Sequence, residues 1–358
     1  MSSSSSSSTS MVSISEDGDG GVFHEFTRAE LMDLIYVAMI ISGISALSSI
    51  FILVTFWKFS RLHTFAYKVI TVLAVANLCL DCAYLMGNVG HNNWRCSLQG
   101  FMRVYFALVE FALVTAITVT CYVMVVRKDF SIGERFVTVM AYCWLIPLAM
   151  AALPFTTSNY GGAGAWCSIT SMDLKSLEWG TFWRFAIIYV PLWACIAVNL
   201  YMYFRVYRAL RGHEAAMAAY AEPEEEGGSA VVADDESAMV EDSGRRIGPR
   251  GVEQSTSTPI IARLQLYTLA LVVCWSWATV NRVREAIHPD SHAIFWLYIL
   301  QYMFQTIQGF LNLIIFLRTP GVMKEWRDVL KKMNVSLQRV TSVDTSTLLP
   351  YGPRSDDK

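Results

Sequence analysis

Residues 98–126 read LQGFMRVYFALVEFALVTAITVTCYVMVV, an apolar run interrupted by only two charges, Arg103 and Glu110. As a helix this run is about 44 Å long, enough to cross a hydrocarbon core of about 30 Å. It is apolar on nearly every face, which is typical of a helix in lipid. Six other stretches have the same character. The seven predicted spans are 34–57, 67–89, 98–126, 134–156, 182–206, 260–284 and 293–318.

The composition agrees with this pattern, because 54% of the 358 residues are hydrophobic and only 16% are charged. A soluble helical protein of this size would not need seven helices that are apolar almost all round. We therefore predict an all-α membrane protein, with a seven-transmembrane helix bundle over residues 34–318.

Basic residues are distributed unequally between the two ends of the predicted spans. Of the 28 Lys and Arg, 21 flank alternate connections or follow the last span, and seven lie on the other side. The side richer in Lys and Arg is expected to be cytoplasmic. With an odd number of crossings, the N-terminus is then outside and the C-terminus inside.

The segments outside the spans are polar. Residues 1–33, rich in serine, and the acidic stretch 212–259 predict disordered segments, outside and inside respectively. No cleavable signal peptide is evident, so the first span is expected to direct insertion. Residues 320–333 predict an amphipathic helix at the surface of the inner leaflet, where membrane lipids are its partners. Residues 334–358 are expected to be a disordered cytoplasmic tail.

Cysteine positions predict one disulfide bond. Six of the eight cysteines lie inside apolar segments and are expected to be core residues. The other two, Cys96 and Cys167, lie on the outer side, which is oxidising. We expect them to pair and to tie the second outer loop to the third span.

Polar residues within the spans are functional candidates, because charges in hydrocarbon are costly unless they are paired or hydrated. In the seventh span a polar stripe must face the bundle interior. It consists of Tyr298, Gln301, Tyr302, Gln305, Gln308 and Asn312. For its inner end, Gln308 and Asn312, we favour structural hydrogen bonds between helices. For its outer end we favour the lining of a cavity.

Cys96, at the entrance to the third span, and Arg103 and Glu110 within it are spaced by seven residues and share one helix face. Arginines also occur near the outer ends of the fifth and sixth spans. We predict an outer pocket for an anionic or polar small ligand. Its candidate residues are Arg103, Glu110, Trp166, Arg184, Asn281, Arg282, Arg284, Tyr298, Gln301 and Tyr302. The alternative is a set of structural salt bridges among Arg103, Glu110, Asp81, Arg284 and Glu285.

Several stretches, in order, resemble the cyclic-AMP-receptor-like family of G-protein-coupled receptors, which includes slime-mould chemoattractant receptors and plant and fungal relatives. The matching stretches, within about 34–330, are Tyr67-Lys68-Val69-Ile70 with Asp81, Val125-Val126-Arg127-Lys128, Glu134-Arg135-Phe136, Cys143-Trp144-Leu145-Ile146-Pro147, Trp166-Cys167, Tyr189-Val190-Pro191-Leu192-Trp193 and residues 274–282, CWSWATVNR. Ser168 departs from the family pattern, which has tryptophan there. This departure argues against cyclic AMP as the agonist.

The resemblance implies a receptor that takes a small ligand from outside and activates a heterotrimeric G protein. It also supports the Cys96–Cys167 bridge. Candidate contacts for the G protein are the charged residues at the inner ends of the spans. They are Arg127, Lys128, Glu134, Arg135, Arg205, Arg208 and Arg263. The alternative is that these charges only set the topology.

Other seven-helix classes fit less well. A retinal protein needs a lysine in the seventh span, and residues 293–318 contain none. A small-solute transporter, the second choice, would show two related halves, which are not evident. An intramembrane enzyme would need a nucleophile with a base, or metal ligands. We therefore expect no catalytic residue, no cofactor, no metal and no nucleic-acid partner.

Overall fold

The computed structural model describes residues 26–90, 93–129, 131–163, 165–170, 177–221, 249–288 and 294–346. Ten α-helices lie in these ranges. They are α1 (Arg28–Lys58), α2 (Phe65–Leu85), α3 (Trp94–Val125), α4 (Phe136–Ala152), α5 (Leu177–Trp183), α6 (Val190–Ala221), α7 (Pro249–Ile287), α8 (Phe295–Thr306), α9 (Gln308–Leu317) and α10 (Pro320–Ser346). Two short strands, β1 (Tyr160–Ala163) and β2 (Trp166–Ile169), form an antiparallel hairpin between α4 and α5.

Seven membrane crossings are formed, as the sequence predicts. Six helical spans of the described chain are long and apolar enough to cross a membrane, and α8 with α9 forms a seventh that is bent by 42°. Their outer faces are apolar where lipid is the solvent. On α1, for example, Ile40, Ile44, Leu47 and Val54 are exposed along one side.

The third helix is the centre of the bundle. α3 packs against α2, α4, α6 and α7, and it also contacts both strands of the hairpin. Its spacing of Cys96, Arg103 and Glu110 places all three toward the interior, and Glu110 is 0% exposed. Residues that recur every seven positions on a helix lie on one face.

Two spans are interrupted part-way along their length. A wider π-helical turn, Arg184–Tyr189, joins α5 to α6. Pro191 follows it, and proline removes one backbone donor and clashes with the preceding turn. The seventh span, predicted as one helix over 293–318, breaks at Ile307 instead. Just beyond the break, a Cβ on Gly309 would overlap with Ser45 and Ser49, so α9 approaches α1 closely.

The helix boundaries differ from the predicted ones where polar sequence continues a helix. α1 begins at Arg28 because Thr27 and Glu30 form a capping box, with Glu30 accepting from the Thr27 amide at 2.9 Å. α6 extends to Ala221 and α7 begins at Pro249, so both ends of the stretch predicted as disordered, 212–259, are helical. The alanine-rich residues 214–221 have a high helix propensity.

The C-terminal helix is also longer than predicted. α10 covers the expected amphipathic segment 320–333 and continues to Ser346, into the expected disordered tail. Residues 322–346 contain no Gly or Pro, so no strong helix breaker ends the helix at 333. The remaining predicted disorder, at 1–25, 222–248 and 347–358, lies outside the described residues.

The hairpin is tied to the outer end of α3. The predicted disulfide Cys96–Cys167 is present. Gln99, one turn further along α3, accepts a hydrogen bond from the Cys167 amide (3.1 Å) and donates to the Ala83 and Gly87 carbonyls at 3.0 and 2.8 Å. One side chain therefore links α2, α3 and the hairpin.

Gly100 allows the hairpin to approach α3. A Cβ at this position would lie 2.9 Å from the Tyr160 ring and 3.2 Å from the Ser168 amide nitrogen. Even the smallest side chain would push the hairpin outward, because close-packed interiors give way at a cost.

We expect Gly100→Ala to destabilise the receptor by about 1–3 kcal/mol, because it overpacks this contact. The matched control is Gly43→Ala in α1, where a Cβ would meet no atom within 4 Å. That control should be neutral or slightly stabilising. The melting temperatures of both purified variants are measured by thermal unfolding, with size-exclusion chromatography as the readout. Equal melting temperatures for the two variants would contradict the close contact.

Removing the disulfide with Cys96→Ser and Cys167→Ser should cost about 2–4 kcal/mol, because the bond closes a loop between residues 71 apart. The control is Cys82→Ser, since Cys82 is a free and exposed cysteine of α2. The same unfolding assay compares them. If the double serine variant had the same melting temperature as the wild type, the disulfide bond would add no stability beyond that of the remaining hairpin contacts.

Candidate functional site

Arg103 on α3 is the centre of an outer cluster of polar and aromatic side chains. Its Nη1 donates to the Cys167 carbonyl at 3.0 Å, and its Nη2 donates to the Tyr84 hydroxyl at 3.2 Å. Its guanidinium carbon lies 4.6 Å from the centroid of the Tyr84 ring and 5.7 Å from that of Trp166. Nε is shielded and has no acceptor among the described residues.

Trp166, the first residue of β2, closes the bundle over this guanidinium. Its side chain is 1% exposed, and its ring centroid lies 4.5 Å from that of Tyr302 and 5.6 Å from that of Tyr84. The indole Nε1 has no acceptor within the described chain. A second shielded donor therefore lies beside Arg103, and the two belong to different elements.

A second arginine, on α7, also lies close to Tyr302. Arg282 donates through Nε to the Tyr189 hydroxyl at 3.0 Å. Tyr302 on α8 is close to both Arg103 and Arg282. We call Arg103, Trp166, Tyr84, Tyr302 and Arg282 the outer cluster. All five side chains can donate hydrogen bonds, and none is acidic.

The remaining outer candidates have other contacts. Asn281 donates to Gln301 at 2.8 Å, which joins α7 to α8. Arg184 donates to the Ile169 carbonyl of the hairpin at 3.0 Å. Tyr298 packs edge to face on Phe26 at the start of the described chain, with centroids 5.1 Å apart. These residues surround the outer cluster rather than belong to it. Arg284, at the outer end of α7, is half-buried.

Glu110 lies deeper in the bundle, about 10 Å from Arg103 along α3. It is close to Asp81 and Asn77 of α2. Neither Glu110 nor Asp81 forms an ion pair with Arg103, and the ion pair between described residues is Arg61–Glu325 at 3.3 Å. The alternative of salt bridges among Arg103, Glu110 and Asp81 is therefore wrong, because two helical turns separate the guanidinium from the carboxylates. The Glu285 side chain lies outside the described residues.

The inner end of the polar stripe does not form the expected hydrogen bonds. Gln308 and Asn312 are buried, yet none of their side-chain N and O atoms has a partner in the described structure. The break at Ile307 directs α9 against α1, close to Ser45 and Ser49. The prediction of interhelical hydrogen bonds at these two positions was wrong.

The inner surface carries exposed basic residues around a hollow of about 470 Å³, lined by Val126, Arg205, Arg208 and Ala209. Arg205 donates to the Tyr201 hydroxyl at 2.7 Å and lies 5.9 Å from the centroid of the Tyr122 ring. The hollow thus lies between the inner end of α3 and the inner half of α6.

The other inner candidates are also at this surface. Arg127 and Lys128 follow α3, and Lys128 has a positive φ of 55° that turns the chain. Glu134 and Arg135 lie in the exposed 3₁₀ turn before α4. In the connection between Lys128 and Glu134, the Ser131 amide donates to the Asp129 carboxyl at 2.9 Å, and this hydrogen bond lowers the pKa of that carboxyl. Arg263 lies in α7, and its side chain is outside the described part.

Two residues of the outer region were not predicted. Tyr84 lies three residues beyond Asp81, and Gln99 lies three residues beyond Cys96. Both spacings place them on the inward faces of their helices. That periodicity is the signal that could have identified them.

Comparisons with known proteins agree with this architecture. The family model of the 7 transmembrane receptor (rhodopsin family) matches residues 48–316. G-protein coupled receptor 1 of Arabidopsis thaliana is 24% identical over 276 residues, which cover 77% of this chain and 74% of that protein. Cyclic AMP receptor-like protein A of Dictyostelium discoideum is 21% identical over 348 residues, 94% of this chain and 79% of that protein.

The fold also matches a solved receptor structure. Squid rhodopsin superimposes with a TM-score of 0.66 at 16% identity, over 92% of this chain and 95% of that one. Identity at this level indicates the shared fold alone. The family model, by contrast, covers well over half of the sequence. This chain belongs to the seven-transmembrane receptor (rhodopsin) family, and it is a multi-pass G-protein-coupled receptor similar to the cyclic-AMP-receptor-like proteins.

Proposed function

We propose that the receptor lies in the plasma membrane, binds a small anionic ligand from outside at the outer cluster and activates a heterotrimeric G protein at its inner face. The observation that carries the ligand class is the pair of shielded donors, Arg103 Nε and Trp166 Nε1, which have no acceptor among the described residues.

A buried donor without an acceptor costs free energy, and a buried cation without an anion costs more. The rings of Tyr84 and Trp166 offset part of this cost through cation–π contacts. They do not supply an acceptor to either nitrogen. A carboxylate or phosphate would satisfy both, because it accepts hydrogen bonds only and carries the complementary charge.

Arg282 adds a second positive charge to the same region. It approaches Tyr302 from α7, whereas Arg103 approaches from α3. A ligand anion placed between the two guanidiniums would attract α7 and α8 toward α3 and the hairpin. Such a differential contact is what a ligand needs in order to shift a receptor between two helix arrangements.

The inner hollow supports the second half of the proposal. Arg205 and Arg208 on α6 line it together with Val126 of α3. Because Arg282 of α7 donates to Tyr189 directly before α6, a shift of α7 would also change the spacing of α3 and α6 at the outer end, and these rigid helices would transmit the change to the hollow. A partner segment with acidic or carbonyl groups would then meet a different arrangement of guanidiniums.

Arg103→Gln should lower the potency of an anionic agonist by about 10- to 100-fold, since a hydrogen bond to a charged group contributes about 1.5–3 kcal/mol. Arg103→Lys should lose less, because it keeps the charge. The matched control is Arg95→Gln, two turns further out on α3, where the side chain is exposed. A G-protein dissociation sensor in cells, with a panel of cyclic nucleotides and small carboxylic acids, measures potency at equal surface expression. Unchanged potency in Arg103→Gln would contradict the ligand site.

Replacing Arg205 and Arg208 together by Gln should reduce the maximal sensor response several-fold and leave ligand binding near wild type, because both residues line the inner hollow, far from the outer cluster. The control is Arg211→Gln, an exposed arginine further along α6 that is not among the residues lining the hollow. Binding of the active panel compound to membranes serves as the second readout. A loss of binding equal to the loss of signal would place the defect outside the G-protein contact.

A further inference from the structure

The inner hollow between α3 and α6 is lined by two cations and two small apolar side chains. Arg205 and Arg208 supply the charge, and Val126 and Ala209 supply the apolar surface. Its volume of about 470 Å³ lies within the range of small-molecule sites, roughly 300–1,000 Å³. Among the described residues that line it, none is acidic. The hollow therefore has a positively charged wall without a counter-charge of its own.

The register of α6 places both guanidiniums on the same wall. Val206 is fully buried and marks the side of the helix that faces the bundle. At about 100° per residue, Ala209, Arg205 and Arg208 lie ~60°, ~100° and ~160° from Val206, all to the same side. Arg205 and Arg208 are separated by about 4.5 Å along the helix axis. One phosphate or diphosphate group is large enough to contact both.

Aromatic rings orient the two guanidiniums without neutralising them. Arg205 donates from Nη1 to the Tyr201 hydroxyl at 2.7 Å, and its guanidinium carbon lies 5.9 Å from the centroid of the Tyr122 ring. The guanidinium carbon of Arg208 lies 5.6 Å from the centroid of the Phe204 ring. A guanidinium has five N–H donors, and the bond to Tyr201 uses one of them. The arginines are thus held in place with donors left for a ligand.

No carboxylate neutralises these arginines within the described structure. Arg205 and Arg208 form no ion pair with any residue that the structure describes. Asp129, in the connection after α3, accepts a hydrogen bond from the Ser131 amide at 2.9 Å and lies close to Arg135 instead. Two neighbouring cations repel each other, so both stabilise an anion placed between them.

We propose that the inner hollow is a binding site for a small phosphate-bearing anion, a phosphomonoester or a diphosphate, held by Arg205 and Arg208. The planar guanidinium forms paired hydrogen bonds with phosphate oxygens. A phosphomonoester carries a charge of about −1.5 to −2 at neutral pH, which matches two arginines better than the single charge of a carboxylate. Val126 and Ala209 border the organic part of the ligand.

The consequence for signalling rests on the proposed function, in which the same two arginines contact the G protein. An anion in the hollow occupies both guanidiniums and excludes an acidic or carbonyl group of the partner. The anion and the G protein therefore bind in competition, and the anion inhibits coupling from the cytoplasmic side.

The test measures pyrophosphate binding to the full-length receptor in phosphatidylcholine nanodiscs by isothermal titration calorimetry. R205Q/R208Q should raise the dissociation constant at least about tenfold, because hydrogen bonds to a charged group contribute this much or more. The matched control is R211Q, which removes an exposed arginine of α6 that is not among the residues lining the hollow. Its dissociation constant should stay within about twofold of the wild type, since exposed charges interact weakly. R103Q alters the outer cluster and should keep the inner binding.

Two results would overturn the site. One is an unchanged pyrophosphate affinity in R205Q/R208Q. The other is a loss of binding in R103Q alone, which would place the anion at the outer cluster and leave the proposed ligand site intact. Because Arg205 and Arg208 are exposed, R205Q/R208Q should keep the melting temperature of the wild type, and this measurement excludes misfolding as the cause.

G-protein coupling of the same variants separates this inference from the proposed function. Loss of coupling in R205Q/R208Q with unchanged pyrophosphate binding would assign the two arginines to the G protein alone and overturn the inference. Loss of pyrophosphate binding with normal coupling would confirm the site and contradict the proposed G-protein contact.

Two competitors identify the source of the phosphate. A phosphatidylinositol monophosphate is incorporated into the discs, or glycerol phosphate is added in solution, before pyrophosphate is titrated. Competition by the lipid assigns the hollow to a headgroup, and competition by glycerol phosphate assigns it to a soluble metabolite. Competition by neither would contradict a site for organic phosphates, and the proposal with it.

Discussion

The attachment of the β1–β2 hairpin to α3 is the constraint on which the outer half of the receptor depends. The Cys96–Cys167 bond, the Gln99 side chain and the Arg103 guanidinium hold three successive turns of α3 to one strand. Gly100 removes the side chain that would separate them. Because Trp166 precedes Cys167, this attachment also places its indole over Arg103. The ligand site and the outer stability of the bundle therefore share the same contacts.

The polar residues of the bundle are arranged in levels along α3. Donors gather at the outer level, around Arg103. About two turns deeper, Glu110 lies near Asp81 and Asn77, so acidic groups are concentrated where guanidiniums are absent. At the inner end, Val126 borders the hollow with Arg205 and Arg208.

The sequence predicted the features that depend on local periodicity and on the solvent. Apolar length predicted seven crossings, cysteine position predicted the disulfide, and seven-residue spacing predicted the inward face of α3. It did not predict that Arg103 binds the hairpin carbonyl and leaves Glu110 unpaired, because that outcome depends on the depth of two residues in a tertiary structure. The break at Ile307 was missed for the same reason: it accompanies the approach of Gly309 to α1, a contact between distant segments. The helix ends of α6, α7 and α10 lie in polar sequence and were not predicted. Hydropathy indicates which residues contact lipid, but it does not measure helix propensity.

The most direct test is the ¹⁵N–¹H signal of the Trp166 indole in the reconstituted receptor, assigned with Trp166→Phe and followed while small carboxylates and phosphates are added. A free, shielded indole donor beside Arg103 should shift saturably when one of these anions binds, and Arg103→Gln should abolish the shift. A signal that stays constant for every anion, or that shifts equally in Arg103→Gln, would show that these two nitrogens do not form an anion site.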